Sequence, residues 1–396
     1  MRLFKQLILL PALLLTFSFN TEAQIAVKGE TVYTMAGQPI LNGVVLIKDG
    51  KIERVGSGIN IPSNYEVYEA KVVTPGFIDA HSVVGLAGHL NVDDDQDQLE
   101  TSNPIQPELR AIDAYNAQEA LVGFLRDHGV TTVHTGHGPG ALISGQTMIV
   151  KTTGETVNDN LIEPSKMLAF TLGNNLSRAF SKPGTRAKGI AMLRQELVKA
   201  QAYLEKRSGE EEHSKDLGME ALADLLEGKK TALVTVHKAN DIMSAIRLQE
   251  EFGFPMILDG VAEAYMVMDE IKAGGYSVII HPSMIRPGGD AKNASMETAS
   301  KLHDAGIPFA FQSGYEGYVP KTRVVHYEAG VAAANGLGKE NALNILTIDA
   351  AKLLGIDERV GSLEKGKDAD VVMFNGDPLE YVTNITGVII NGEKVK

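Results

Sequence analysis

The sequence predicts an α/β protein with a parallel central sheet and a smaller β-rich unit formed by its two ends. Between residues 74 and 360, short apolar strands alternate with segments of helical period. The two ends instead carry strands joined by Asp-Gly and Asn-Gly turns. A repeated strand–helix–strand order indicates parallel strands, because each crossover returns the chain to the same end of the sheet. This order allows an eight-stranded barrel, a distorted form of it, or an open doubly wound sheet.

The first 23 residues have the pattern of a secretion signal. Arg2 and Lys5 are followed by an apolar run over 7–17 and by small residues around Ala23. The apolar run is short for a membrane span, although an uncleaved anchor stays the alternative. We expect cleavage after Ala23 and a periplasmic or secreted protein.

Composition excludes several classes of function. The chain has 396 residues, a formal charge of -13 and no cysteine. The absence of cysteine rules out disulfides, thiolate ligands and cysteine nucleophiles. Basic residues are not clustered, which argues against a nucleic-acid partner. We therefore expect a small-molecule substrate or ligand.

Residues 24–73 and 361–396 predict one small β-sandwich domain. In the first segment, Asp49-Gly50 separates two apolar runs, and in the second Asn391-Gly392 follows another. Asx-Gly between apolar runs is typical of a two-residue hairpin turn. Residues 74–360 are then the barrel domain.

Seven strands of the central sheet can be recognised. The first ends at His81, and the others cover 130–134, 166–172, 232–237, 255–259, 277–281 and 308–313. We expect the eighth strand between Leu172 and Ala232, although that segment shows only helical patterns and a charged loop. A hairpin is expected at 147–151, after a glycine-rich loop.

Polar residues end many of these strands. His81, His237, Asp259 and His281 stand at four strand ends. Because the carboxyl ends of parallel strands gather at one side of a barrel, we expect these residues to share a pocket. Satisfied core histidines are the alternative.

Loop residues around these strand ends can contact a substrate. His137 and Ser144 belong to the glycine-rich loop, Glu263 follows the strand 255–259, and Tyr315 follows the last strand. Loops at barrel mouths often carry function, but ordinary loop roles are the alternative for all four.

The segment from Pro75 to His81 reads Pro-Gly-Phe-Ile-Asp-Ala-His. It resembles the first barrel strand of the amidohydrolase superfamily, metal-dependent hydrolases related to imidazolonepropionase and prolidase, where the motif is P-G-x-x-D-x-H-x-H. The segment 361–370 resembles the sequence that leads into the family's last strands. The resemblance implies a (β/α)8, TIM-like barrel beside a β-sandwich, and hydrolysis of a C–N bond.

The resemblance also implies a metal-ligand set, which this chain keeps only in part. The family's set is two histidines on the first strand, Lys or Glu on the fourth, one histidine each on the fifth and sixth, and Asp on the eighth. His81 and His237 match, whereas Val83, Gly260 and Gly314 stand at three ligand positions. Neither valine nor glycine has a side-chain donor, so a standard two-metal centre is not expected.

Three hypotheses follow. In the first, His81 and His237, with His281 and Asp259 or His137, hold one relocated divalent metal, and zinc suits such donors best. Asp259 and His281 are then the candidate catalytic residues, with Glu263 as another possible base. The substrate would be a small amide, cyclic amide or dipeptide-like molecule.

The second hypothesis is a catalytically inactive amidohydrolase-fold protein that binds a small ligand or supports an active paralogue in a hetero-oligomer. The third is metal-free acid–base catalysis by Asp259 and a histidine. The sequence leaves open the substrate, the metal and the choice between a homo-oligomer and a hetero-oligomer.

Overall fold

The computed structural model describes residues 24–90, 92, 95–174, 176, 179–207, 209, 214–280, 287–314 and 324–396. Its strands, in chain order, are β1 Ile25–Val32, β2 Ile40–Lys48, β3 Lys51–Ser57, β4 Glu66–Pro75, β5 Phe77–Ser82, β6 Val130–Thr135, β7 Ile143–Gln146, β8 Met148–Lys151, β9 Leu161–Glu163, β10 Met167–Thr171, β11 Thr231–Val236, β12 Met256–Gly260, β13 Ser277–Ile280, β14 Phe309–Phe311, β15 Val371–Phe374, β16 Ile385–Ile390 and β17 Glu393–Lys394. Its α-helices are α1 Ala120–Asp127, α2 Val157–Asn160, α3 Arg186–Arg207, α4 Leu217–Leu226, α5 Ala239–Phe252, α6 Met268–Ala273, α7 Thr298–Ala305, α8 Val325–Ala332, α9 Lys339–Asn344 and α10 Ala350–Leu354. Among these residues, no helix is both long and apolar enough to cross a membrane.

The two ends of the chain build one mixed sheet. Within the described residues its order is β17-β16-β15-β4-β1-β2-β3, and the C-terminal strand β15 pairs with β4. At the β3 edge, Ile52 exchanges two backbone hydrogen bonds of 2.9 Å with Gly366 and Lys367. The segment before β15 therefore contacts the β3 edge, and strands from both ends of the chain share an apolar cluster that includes Val27, Val45 and Met373. The predicted domain limits stay predictions.

The middle of the chain forms a barrel from two sheets. One has the order β14-β13-β12-β11-β10-β7 and the other β5-β6-β8-β9 in the part of the chain described. A parallel bridge from Ser82 to Gly314 joins them on one side. On the other side, Thr147 donates its N–H to the Met167 carbonyl at 2.8 Å and accepts from Lys166 at 2.7 Å. The predicted fold class, an α/β barrel of TIM-like type with a terminal β unit, is confirmed.

The expected position of the eighth strand was wrong. The place between β6 and β10 is taken by β7 and β8, which run antiparallel to their neighbours. Between Leu172 and Thr231, the described residues contain α3 and α4 but no strand. Counting only strands that alternate with helices misses β7 and β8, because no crossover helix separates them from β6. Gly145, at φ +135°, lies within β7, where the register between β7 and β10 shifts.

A buried lysine connects the barrel to the terminal sheet. Lys151 on β8 is 1% exposed and makes ion pairs with Asp370 and, at 3.2 Å, with Asp368. Thr131 on β6 also donates to Asp370, at 3.2 Å. Burying an ammonium group costs free energy unless it is paired with a carboxylate. These contacts therefore fix the barrel and the terminal sheet to each other.

Candidate active site

His81 and Asp259 meet inside the barrel. The Nδ1 atom of His81, on β5, lies 3.2 Å from Oδ2 of Asp259, on β12, and the side chains are 1% and 0% exposed. β5 and β12 are not neighbours in either sheet. Their side chains can therefore touch only across the interior that the strands enclose.

Asp259 is held by two further side chains. Thr235 of β11 donates its hydroxyl to Oδ2 at 2.6 Å, and the amide of Gln312, just after β14, donates to Oδ1 at 2.6 Å. Burial acts to raise the pKa of Asp259, but His81, Thr235 and His237 outweigh it and bring the pKa below its usual value. The charged carboxylate of Asp259 therefore lies beside Nδ1 of His81, 3.2 Å from it.

Asp79 fixes the strand that carries His81. Its carboxylate accepts the N–H of Ser313 at 3.0 Å and the Ser313 hydroxyl, and the N–H of His81 at 3.3 Å. Burial raises the pKa of Asp79 to about 7 although these hydrogen bonds lower it. The contacts lock the ends of β5 and β14 together, which sets the position of His81.

His134 is engaged by the protein through both ring nitrogens. Nδ1 donates to the Ala80 carbonyl at 2.7 Å, and Nε2 lies 2.6 Å from the Thr147 hydroxyl, which donates to it. Burial, with His81 nearby, lowers the pKa of His134 to about 3. His134 is therefore a neutral structural histidine.

His137 is buried in the loop between β6 and β7, whereas Ser144, expected in that loop, is buried within β7. Neither ring nitrogen of His137 nor the Ser144 hydroxyl has a hydrogen-bond partner among the described residues. Burial lowers the pKa of His137 to about 4. The His137 ring lies on Gly145, where an added Cβ would be 2.4 Å from Cδ2. Their predicted substrate contacts stay predictions.

The His237 ring lies over Gly260. A Cβ at Gly260 would be 2.6 Å from Cε1 and 3.1 Å from Nδ1 of His237. Burial lowers the pKa of His237. Position 260 is where the family has its sixth-strand histidine. In this chain the imidazole of His237 occupies the space that a side chain at position 260 would enter.

Glu263 is engaged near the start of α5. Its Oε2 accepts the Ala239 N–H at 2.8 Å, and Oε1 accepts from the Asn293 amide at 2.6 Å. These contacts give Glu263 a structural part in the site. His281 and Tyr315, the other predicted site residues, lie outside the described residues.

Thr235 and Gln312 were missed by sequence reasoning. Each stands two positions before a recognised ligand position, His237 and Gly314 respectively. Because side chains two apart in a strand point the same way, that spacing is the signal that could have found them.

A barrel with a buried imidazole–carboxylate pair near the carboxyl ends of its strands belongs to a fold class common among enzymes. Residues 295–395 match the model of the amidohydrolase family. The crystal structure of an amidohydrolase from Thermotoga maritima MSB8 is 30% identical, with a TM-score of 0.88 over 94% of this chain and 99% of that one.

Two curated relatives are more distant. Amidohydrolase tasK of Hapsidospora irregularis is 24% identical over 375 residues, covering 85% of this chain but 38% of tasK. Imidazolonepropionase of Thermoplasma volcanium is 20% identical over 380 residues, covering 90% of this chain and 91% of the relative. This chain belongs to the amidohydrolase superfamily, and that membership supports hydrolysis of C–N bonds as its chemistry.

The described donors do not fit the divalent ion that this family implies. Among the described residues, no group of three or more His, Asp or Glu side chains is arranged to hold a metal ion. Both oxygens of Asp259 accept protein hydrogen bonds, and one of them faces Nδ1 of His81. Protein groups therefore already engage both oxygens of Asp259, and the predicted ligand His281 lies outside the described residues.

Proposed function

We propose that this chain hydrolyses a C–N bond of a small amide, cyclic amide or dipeptide-like molecule, with the His81–Asp259 pair as its general base. The observation that carries the proposal is the fixed carboxylate of Asp259, 3.2 Å from Nδ1 of His81. A carboxylate that orients an imidazole is a recurrent way to prepare a general base.

In this reaction, Nε2 of His81 takes a proton from water as its oxygen attacks the carbonyl carbon. The C–N bond then breaks, and the imidazolium returns the proton to the leaving nitrogen. Asp259 stabilises the imidazolium and does not itself take up the proton. Thr235 and Gln312 act as positioning residues, because each fixes one oxygen of Asp259.

The test is Asp259→Asn, assayed with N-acyl amino acids, Xaa-Pro dipeptides and cyclic amides. We expect kcat/KM to fall by about 10²- to 10⁴-fold, the usual contribution of general acid–base catalysis. Asp113→Asn, which removes an exposed partner of Arg110, is the control and should change little. Wild-type rates in a folded Asp259→Asn variant would overturn the assignment of the base.

The single divalent ion predicted from the sequence stays a prediction, with zinc as the best candidate and with His81, His237 and His281, together with Asp259 or His137, as ligands. Elemental analysis of the purified protein, before and after treatment with a chelator, tests whether this ion is bound. Stoichiometric zinc that is lost in His81→Ala would favour the metal and contradict our assignment of His81 as a base. Activity that survives chelation in metal-free protein would support the pair.

A catalytically inactive role is the second candidate. It is favoured by the absence of donor side chains at Val83, Gly260 and Gly314. If the purified chain hydrolyses none of the three substrate classes, while a copurifying paralogue of the same family does, a supporting role in a hetero-oligomer replaces our proposal. A homo-oligomer without turnover would leave ligand binding as the function.

We also propose that the protein acts outside the cytoplasm. The pattern of residues 1–23 supports export, with cleavage after Ala23. Cell fractionation and N-terminal sequencing test this, and a mature chain that keeps Arg2 in the cytoplasmic fraction would contradict it.

A further inference from the structure

A cavity lies between helices α3 and α5, lined by residues of both. Its volume is about 640 Å³, and Leu142, Leu172 and Ile190 supply an apolar wall. No side chain of the His81–Asp259–Thr235–Gln312 network lines it. The volume falls in the range of sites that bind small molecules, about 300–1,000 Å³.

Two ion pairs join the helices beside this cavity. Arg186 Nε lies 2.8 and 3.1 Å from the two oxygens of Asp241, and Arg194 Nε lies 2.7 and 2.9 Å from those of Glu251. The two arginines are eight residues apart on α3, which is about 12 Å along a helix. Ion pairs therefore connect α3 and α5 at two points along their length. The cavity lies beside these two ion pairs.

Arg186 is positioned by two buried carboxylates. Besides Asp241, Asp290 lies 3.4 Å from its Nη2, and the two aspartates are 3% and 5% exposed. Gly173, at φ +86°, leaves room for them, because a Cβ there would be 2.8 Å from an oxygen of each.

A guanidinium group has five N–H donors, and these contacts use two of them. The other three N–H groups of Arg186 have no partner among the described residues, so they can serve a ligand in the cavity.

A second cation and an anion line the same cavity. Arg247 is exposed and donates from Nη2 to the Ser244 hydroxyl at 2.8 Å, and it has no carboxylate partner in the described part of the chain. Glu250, one turn further along α5, is likewise not in an ion pair there. Two guanidinium groups with unused N–H donors next to an apolar wall match a ligand that is both acidic and apolar.

We propose that the cavity between α3 and α5 binds a small organic acid with an apolar body. Its carboxylate contacts Arg186 and Arg247, and its apolar part packs on Leu142, Leu172 and Ile190. Guanidinium forks suit carboxylates because two parallel N–H···O bonds can form. This site is separate from the proposed catalytic pair and does not depend on its activity.

The test is calorimetric titration of the full chain with 4-methylpentanoic acid and with 4-methylpentan-1-ol, which lacks the carboxylate. Neither compound has a C–N bond, so neither is a substrate of the proposed hydrolysis. We expect the acid to bind at least about tenfold more tightly, the scale of one charge-assisted hydrogen bond. Arg247→Gln should lower the affinity for the acid by about tenfold. Arg110→Gln removes an exposed arginine that does not line the cavity, and it should leave the affinity for the acid unchanged.

A second variant locates the ligand. Ile190→Phe adds volume to the wall from the half-buried face of α3 and should abolish binding of the acid without unfolding the chain. Equal affinities for the acid and the alcohol would overturn the proposal. It would also fail if the affinity responded to Asp259→Asn but not to Arg247→Gln or Ile190→Phe, because the acid would then bind in the barrel interior.

Discussion

The contact between His237 and Gly260 leads to a sharp prediction about Gly260→Ala. Gly260 ends β12 at φ +82°, and the new Cβ would lie 2.6 Å from Cε1 of His237. The positive φ costs a side chain about 1–2 kcal/mol. Displacing a buried ring adds about 1–3 kcal/mol of overpacking. We therefore expect Gly260→Ala to lower the free energy of unfolding by about 2–5 kcal/mol.

Gly253 is a matched control for the backbone cost. It ends α5 at φ +78°, and nothing lies within 4 Å of the Cβ it would gain. Gly253→Ala should therefore cost only about 1–2 kcal/mol. The difference between the two variants isolates the contact with His237. In a His237→Ala background, Gly260→Ala should cost no more than Gly253→Ala.

Urea unfolding followed by circular dichroism measures these free energies, provided that the slopes of the variants agree. The reasoning is refuted if Gly260→Ala is as stable as Gly253→Ala, because the His237 ring then does not lie over position 260. It is also refuted if the extra cost persists in the His237→Ala background.

Three further predictions concern other parts of the molecule. Lys151→Met should cost about 3–5 kcal/mol in urea unfolding because it leaves the buried carboxylate of Asp370 without an ion pair, whereas Lys28→Met, which removes an exposed pair, should cost less than about 1 kcal/mol. Burial lowers the pKa of His326 to about 3, so the unfolded chain binds the extra proton between pH 6.5 and 3 and stability falls as the pH falls through that window. His326→Phe should therefore reduce the fall in the free energy of unfolding at acid pH by up to about 1.4 kcal/mol per pH unit, and an unchanged pH dependence would contradict the burial argument. Thr235→Val removes a donor to Asp259, so the pKa of Asp259 should rise and the acid limb of the pH–rate profile should move to higher pH, whereas an unmoved limb would refute its positioning role.

Local chemistry made much of this molecule predictable from sequence. The turns at Asp49-Gly50 and Asn391-Gly392 have the positive φ values that their residues favour. Strand-forming runs that end at His81 and near Asp259 were recognisable because apolar patterns and strand ends are properties of a few consecutive residues. The loss of ligands at Val83 and Gly260 was equally readable, since these side chains carry no donor.

Only the tertiary structure decided which of these residues meet. Asp79 and Ser313 are 234 positions apart in the chain. Thr235 and Asp259 lie on different strands, and Gln312 follows a third, so no local pattern encodes their contacts. The antiparallel β7 and β8 could fill a barrel position because closure of the ring depends on hydrogen bonds between distant strands. Sequence by itself determined the strands and the available side chains, whereas closure of the barrel brought the carboxylate of Asp259 next to His81.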